Sequence, residues 1–186
     1  MKYFAGQYYH IYNRGVEKRK IFANEENYRF LLRRIKEFLP EYSIAFISYS
    51  LMPTHYHFFV RPEKDEVVSP FLQRLFNSYT QAFNKQEKRS GTLFEGRAKG
   101  VLIDNSSYFF HISRYIHLNP VLAGLVKKPE DWQYSNYREF IGLRQGTLYE
   151  ANFVREHFGS PEAYRQFVES DISEAIKRKI AKYLFD

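Results

Sequence analysis

The sequence predicts an α+β fold: one antiparallel sheet of the ferredoxin-like or RRM-like type with helices on one face, followed by a C-terminal helical extension. Three observations support this prediction. Apolar residues make up 44% of the 186 positions, which is enough to build the core of a domain. β-rich runs and helical periodicities alternate as strand, helix, strand, strand, helix, strand, the order of a split βαβ sheet. Internal repeats and low-complexity segments are absent from the sequence.

A short strand and a helix come first. Residues 7–12 are aromatic and β-branched, and they end at the turn signal of Asn13, Arg14 and Gly15. From Asn24, a good N-cap residue, apolar side chains recur at spacings of three and four as far as Pro40. The pattern therefore predicts a strand over 7–12 and a first helix that ends at Pro40.

Two strands, a second helix and a fourth strand follow. Residues 43–49 and 56–61 are β-rich and are separated by a segment that contains Pro53, which predicts an antiparallel pair. An apolar stripe predicts a helix that begins at Ser69 and Pro70 and continues to residue 83. Residues 99–103 are predicted to form the fourth strand.

The C-terminal third is predicted to be helical. Ser106 or Ser107 caps a third helix, which is expected to end near Leu118 because the residue before Pro120 disfavours the α region. Residues 162–168 and 173–184 have the pattern of further helices. We therefore predict a main domain over 1–145 and a helical appendage over 146–186.

Composition restricts the chemistry available to this chain. There is no cysteine, which excludes disulfides, thiolate metal sites and cysteine nucleophiles. The net charge is +7, and the chain contains 16 Tyr, 18 Phe and one Trp. Basic charge with many aromatic rings suits single-stranded nucleic acid, although such rings also build ordinary cores. The uncharged run over 42–60 contains Pro53 and two histidines, so we expect no membrane span and a cytoplasmic protein.

Two patterns indicate a site. His55 and His57 are two apart in a predicted strand, so both side chains leave one face and can converge on one cation. On the third helix, Tyr115 has His111 four residues before it and Asn119 four residues after it, on the same stripe. The alternative is purely structural: two half-buried sheet histidines, a core tyrosine and an asparagine that ends a helix.

Three sequence blocks point to a known family. They cover residues 9–15, 52–57 and 114–126, and the second contains a His, bulky hydrophobe, His motif with Tyr56 in the middle. In this order the blocks resemble the single-tyrosine HUH transposases, and most closely the REP-associated tyrosine transposases of the insertion-sequence 200-like type. The resemblance extends over roughly residues 8 to 140. Thr54 and Glu95 stand where relatives often have asparagine and glutamine.

The resemblance implies a function and a site. Such enzymes cleave and rejoin single-stranded or hairpin DNA through a covalent 5′-phosphotyrosine on the palm-like HUH sheet. It implies that Tyr115 is the nucleophile, and that His55, His57 and Asn119 bind a divalent cation, Mg²⁺ or Mn²⁺. A monomer is expected, with a dimer left open, and the protein would be nucleoid-associated when bound to DNA.

DNA contacts are predicted from basic side chains and from the loop that the first block covers. The predicted residues are Asn13, Arg14, Lys18, Arg19, Arg97 and Lys99. The alternative is that these cations form solvated faces.

Two other functions remain open at this stage. The first is a non-catalytic single-stranded nucleic-acid-binding protein on the same fold, in which Phe58 and Phe59 would stack on bases. The second is a metal-dependent hydrolase that uses a bound water. A covalent protein–DNA adduct distinguishes the three, because only the tyrosine nucleophile forms one.

Overall fold

Four antiparallel strands form one sheet in the order β2-β3-β1-β4. The computed structural model describes residues 1–104, 106–150 and 152–170, and of residues 106–108 the backbone alone. The strands are β1 (Tyr9–Arg14), β2 (Ile44–Met52), β3 (His55–Pro62) and β4 (Lys99–Leu102). The predicted split βαβ sheet is confirmed, since helices α1 (Glu25–Tyr42) and α2 (Val68–Gln86) occupy the predicted places in the chain order.

Helix α1 begins as the sequence predicts and ends later. Asn24 and Asn27 form a reciprocal capping box, which satisfies free N–H groups of the first turn. Pro40 lies inside the last turn, and the helix ends at Tyr42, followed by the C-cap Ser43, whose φ of 51° is left-handed. Helix α2 begins at Val68, so Ser69 lies within its first turn and is not the cap.

The first strand also differs from its predicted bounds. It continues through Asn13 and Arg14, the residues that were expected to form a turn. They stay extended because they pair in register with Tyr56 and His55 of β3. The strand therefore delivers the Arg14 side chain to the same region of the sheet as His55.

The third helix, α3 (Ser106–Leu122), continues through Pro120, so the expectation that it ends near Leu118 is wrong. A proline removes one helical hydrogen bond, but the next turn is still formed, with the Ala123 N–H donating to the Asn119 carbonyl at 2.9 Å. Asn119 therefore keeps its helical register with Tyr115. Ser106 and Ser107, the predicted caps, are the first two residues of the helix, and their side chains lie outside the description. The predicted helix over 173–184 lies outside the described residues.

Helices cover both faces of the sheet, which corrects the prediction that they lie on one. Helices α1 and α2 pack on the face that carries Ile11, Tyr56 and Phe58. The opposite face carries Phe59, and α3 packs there through Ile112 and Ile116, because this helix is apolar on the side that meets the sheet. The second core also takes side chains from α4 (Tyr137–Phe140), α5 (Phe153–Phe158) and α6 (Pro161–Glu169). The domain boundary at residue 145 stays a prediction.

A buried asparagine ties α3 to the sheet. The side-chain oxygen of Asn136 accepts from the Tyr49 N–H at 2.8 Å and from Nε2 of His117 at 2.9 Å. Its Nδ2 donates to the Ile47 carbonyl at 2.7 Å. One amide thus satisfies backbone groups of β2 and a side chain of α3, which holds the helix in place over the sheet.

None of the helices within the described residues has the length and apolarity that a bilayer crossing requires.

Candidate active site

The face of the sheet beneath α3 carries the polar residues of the site. Because side chains alternate along a strand, His10, Tyr12 and Arg14 of β1 all point to this face. In the register of β1 and β3, Tyr12 lies opposite His57 and Arg14 lies opposite His55. The prediction that the two β3 histidines share a face agrees with this register.

The side-chain amide of Asn119 is the centre of the site. Its Oδ1 accepts a hydrogen bond from Nε2 of His55 at 3.2 Å. Its Nδ2 donates to the Tyr115 hydroxyl at 2.8 Å and lies 3.4 Å from Nε2 of His57. The structure therefore brings together all four residues that the resemblance named, from a strand and a helix about 60 residues apart in the chain.

A partner on the far nitrogen orients each of these histidines. Nδ1 of His57 lies 2.9 Å from Nε2 of His10, and both rings are fully buried. Nδ1 of His55 lies 3.0 Å from the Thr54 hydroxyl. Both Nε2 atoms are consequently turned toward Asn119. Metal-binding histidines are commonly held in this way through the ring nitrogen that does not bind the metal.

Burial keeps these imidazoles neutral near pH 7. Loss of solvent lowers the pKa of His10 to about 3 and holds that of His57 well below its ordinary value. For His57, the nearby His55 and His10 lower the pKa further. Burial also lowers the pKa of His55, partly offset by its hydrogen bond to Asn119. The neutral imidazole is the form that binds a metal ion.

The donor set suits a divalent cation if the amide oxygen takes part. Within residues 1–104, 106–150 and 152–170, no three His, Asp or Glu side chains are grouped to hold a metal. A cation here would therefore take its third protein ligand from Oδ1 of Asn119. Two imidazole nitrogens with one amide oxygen suit Mn²⁺, and an oxygen ligand with open positions for water and phosphate also suits Mg²⁺.

His10 is not among the residues that the sequence predicts for the site. Of the first block, only Asn13 and Arg14 are predicted to have a role. The two-residue alternation of β1 was the available signal, since it puts His10 on the same face as Arg14. The alternation does not predict that β1 pairs with β3, and it is this pairing that brings His10 close to His57.

Other polar residues of α3 contact the C-terminal helices. His117 lies with Nδ1 2.6 Å from the Tyr164 hydroxyl. The His111 ring packs against Phe167. Arg114 donates to the Ser170 carbonyl, and its guanidinium lies 5.1 Å from the centre of the Phe167 ring. These contacts dock α6 on the helix that carries Tyr115.

Comparisons with known proteins give the family. The model of the family described as "Transposase IS200 like" matches residues 3–119, which is more than half of the chain and includes Tyr115 and Asn119. The chain belongs to the IS200-like transposase family. This is a family of DNA-cleaving transposases, so the family assignment drawn from the three blocks is confirmed.

Solved structures support the fold of this IS200-like transposase. A REP-associated tyrosine transposase bound to a REP hairpin matches with a TM-score of 0.66 at 19% identity, covering 80% of this chain and 93% of that one. A tRNA(His) guanylyltransferase from Saccharomyces cerevisiae covers 97% of this chain and 78% of that one at 12% identity. Its TM-score of 0.45 is below the level that indicates a shared fold. No curated protein matches the chain in sequence.

The residues predicted to contact DNA lie in two places. Arg14 forms an ion pair with Glu95, and their side chains are 23% and 45% exposed. The hydrogen bond from Arg14 holds the pKa of Glu95 below its ordinary value, and the charges of Arg14, Lys99 and Lys18 lower it further. Both lysines are exposed. Arg19 is exposed and pairs with Glu17. The Glu95 carboxylate therefore lies within a basic cluster beside the site, formed by Arg14, Lys18, Arg19 and Lys99.

Asn13 and Arg97 lie on the other side of the sheet. Asn13 donates from Nδ2 to the Gly96 carbonyl at 3.0 Å. With Arg97 it lines a cavity of about 720 Å³ between α2 and the segment before β4. The two residues are thus separated by the sheet from the basic cluster around Arg14.

The two rings that suggested a base-stacking sheet are not accessible. Phe58 and Phe59 are both fully buried, the first in the core under α1 and α2 and the second in the core under α3. A stacking platform needs exposed rings. This observation removes the specific reason for the RNA-recognition alternative.

Proposed function

We propose that this transposase cleaves and rejoins single-stranded or hairpin DNA through a covalent 5′-phosphotyrosine on Tyr115. The observation that carries the proposal is the convergence of the Tyr115 hydroxyl and two imidazole Nε2 atoms on the amide of Asn119. A purely structural tyrosine needs none of these partners. The hairpin bound to the structural neighbour supports the choice of hairpin DNA as substrate.

In this proposal His55, His57 and Asn119 would hold a divalent cation, Mg²⁺ or Mn²⁺. When bound, the cation supplies Lewis-acid stabilisation to the scissile phosphate. The protein's part is to present two neutral imidazoles with their Nε2 atoms turned to one point. Burial keeps them neutral, and the contacts with His10 and Thr54 orient them.

Tyr115 is the proposed nucleophile. It loses its hydroxyl proton to solvent, and its oxygen forms a bond to phosphorus while the P–O3′ bond breaks. The 3′-oxygen leaves and takes up a proton, so the products are a 5′-phosphotyrosine and a free 3′-hydroxyl. The Asn119 N–H donates to the tyrosine oxygen at 2.8 Å, where it would stabilise negative charge on that oxygen during the attack.

The covalent intermediate makes the reaction reversible. The phosphodiester is conserved as a phosphotyrosine ester, so a second 3′-hydroxyl can attack it and release Tyr115 without ATP. Phenolate is a better leaving group than the alkoxide of serine, which keeps the return step fast. Cleavage and strand transfer are then the same step in two directions.

The substrate strand is proposed to lie along the cluster beside His55. Arg14, Lys18, Arg19 and Lys99 would contact its phosphates, since cations follow the nucleic-acid backbone. Arg14 lies directly opposite His55 in the sheet, so a phosphate that it binds is next to the proposed reaction centre. Asn13 and Arg97 would contact a part of the DNA that passes to the other side of the sheet.

Detection of a covalent adduct tests the proposal. Labelled hairpin DNA from the sequence that flanks the gene is incubated with the protein and Mn²⁺ or Mg²⁺, then separated on a denaturing gel. Tyr115→Phe should bind DNA but form no adduct. Tyr149→Phe removes a hydroxyl from a half-buried ring of the same core and should still form it.

The outcomes separate the candidate functions. An adduct retained by Tyr115→Phe rules out this nucleophile. Tight binding by the wild-type protein without an adduct, across several hairpins and both cations, favours a non-catalytic binding protein. Strand cleavage without an adduct favours a hydrolase that uses water.

A further inference from the structure

We propose that His10 is a positioning residue, a buried acceptor that holds His57 in the tautomer whose Nε2 lone pair faces Asn119. The inference rests on the proposed function, because it concerns how a metal ligand is prepared. It assigns a task to a fully buried polar residue of β1. In this role His10 acts through His57, to which it is hydrogen-bonded.

The contact between the two rings is an in-plane hydrogen bond. Nε2 of His10 and Nδ1 of His57 are 2.9 Å apart, a normal hydrogen-bond distance. The ring planes differ by only 21° and the ring centres are 5.1 Å apart. Two rings joined edge to edge by N–H···N have this geometry. Both residues are fully buried, so water does not compete for the bond.

The neighbours determine which nitrogen carries the proton. A neutral imidazole has one N–H donor and one acceptor nitrogen. The Asn119 amide presents an N–H group to Nε2 of His57 at 3.4 Å, so that nitrogen must be the acceptor. The proton is then on Nδ1 of His57, which donates to Nε2 of His10. The opposite tautomer would place two N–H groups against each other and remove the lone pair that a cation needs.

His55 is held differently, which makes the role of His10 specific to His57. The partner of His55 is the Thr54 hydroxyl, which can donate or accept by rotating. In this structure Nε2 of His55 donates to Oδ1 of Asn119, so it must move its proton to Nδ1 before it can bind a cation. The hydroxyl permits that change. His57 is set in its metal-binding tautomer beforehand, by the Asn119 N–H at Nε2 and by the His10 ring at Nδ1.

A spectroscopic measurement tests the tautomer in the metal-free protein. Nitrogen-15 chemical shifts of the His57 ring distinguish Nδ1–H from Nε2–H. The wild-type protein should show Nδ1–H. His10→Gln keeps a side-chain oxygen that can accept near the position of Nε2 and should preserve this tautomer, whereas His10→Phe keeps a ring without an acceptor and should lose it.

A calorimetric titration with Mn²⁺ tests the consequence. We expect His10→Phe to weaken Mn²⁺ binding by about 10- to 100-fold, the usual effect of removing such a partner, and His10→Gln to bind more tightly than His10→Phe. His157→Phe is the control, since it makes the same exchange of imidazole for phenyl in the core under α3, at a ring that packs on Phe109 and Phe153, and its Mn²⁺ affinity should match that of wild type. Circular dichroism shows that each variant is folded before the affinities are compared.

The failures of the two proposals can be told apart. Wild-type protein that binds neither Mn²⁺ nor Mg²⁺ contradicts the metal site of the proposed function. Wild-type protein that binds Mn²⁺ but shows Nε2–H on His57 overturns the role of His10, whether or not His10→Phe folds. Equal Mn²⁺ affinity in the wild-type protein and a folded His10→Phe overturns it as well.

Discussion

Replacement of Asn119 should separate the two tasks of its amide. Its Oδ1 faces His55 and would be a metal ligand, while its Nδ2 donates to the Tyr115 hydroxyl. Asn119→Asp keeps an oxygen on the metal side and loses the N–H on the tyrosine side. Asn119→Ala loses both. The aspartate variant should therefore bind Mn²⁺ more tightly and yet form the phosphotyrosine more slowly.

The expected slowing follows from one lost hydrogen bond. A hydrogen bond to a charged group contributes about 1.5–3 kcal/mol. Its loss from the developing phenolate slows adduct formation by roughly 10- to 150-fold, in both variants. The aspartate also repels the phenolate, by at most about 4 kcal/mol for unit charges 4 Å apart at an effective dielectric constant of 20. Asn119→Asp should accordingly be the slower of the two.

The assay combines single-turnover adduct formation at saturating Mn²⁺ with calorimetric titration of the metal. Asn152→Asp, at an exposed position before α5, controls for the added charge and should change neither quantity. The reasoning is refuted if Asn119→Asp forms the adduct as fast as wild type. It is also refuted if affinity and rate fall together in both variants.

Two further predictions concern DNA binding and stability. Glu95→Gln should release Arg14 from its ion pair, so that hairpin DNA binds more tightly and the slope of log K against log [salt] steepens by about 0.7–0.9. Arg14→Gln should weaken hairpin binding. Fluorescence anisotropy measures both affinities, and no change in either variant would contradict a role of the basic cluster in DNA binding. The free energy of unfolding should fall as the pH drops below about 6.5. Burial lowers the pKa of His10 to about 3 and that of His117 to about 4 in the folded protein. The two imidazoles therefore take up protons in the unfolded chain at a higher pH than in the folded one, which favours unfolding. Each contributes a loss of about 2 kcal/mol at pH 5, and equal stabilities from urea unfolding at pH 7 and pH 5 would contradict this.

Local rules predicted most elements and misjudged where some of them end. The Asn24 cap and the succession of strands and helices along the chain follow from patterns within a few residues. The rule that a residue before proline leaves the α region predicted an early end of α3, but the next hydrogen-bonded turn forms despite Pro120. Strand β1 continues past its turn signal because β3 pairs with it. Element ends depend on neighbours, which local patterns do not contain.

The sequence by itself determined which side chains leave the same face of an element. His55 and His57 share a strand face because side chains alternate, and Tyr115 and Asn119 share a helix face because a helix turns once in 3.6 residues. These periods are properties of the backbone. They hold wherever the element lies.

Only the tertiary structure decided which faces meet. The order of the strands brings His10 to His57, and the packing of α3 brings the Asn119 amide between Tyr115 and the histidines. The same packing brings Arg114 into contact with the Ser170 carbonyl at the end of α6, and Glu95, in the segment before β4, forms an ion pair with Arg14. Apart from the bond between Asn119 and Tyr115 within α3, these contacts join residues of different elements that are far apart in the chain. Such contacts follow from sheet register and core packing, which depend on the whole chain at once.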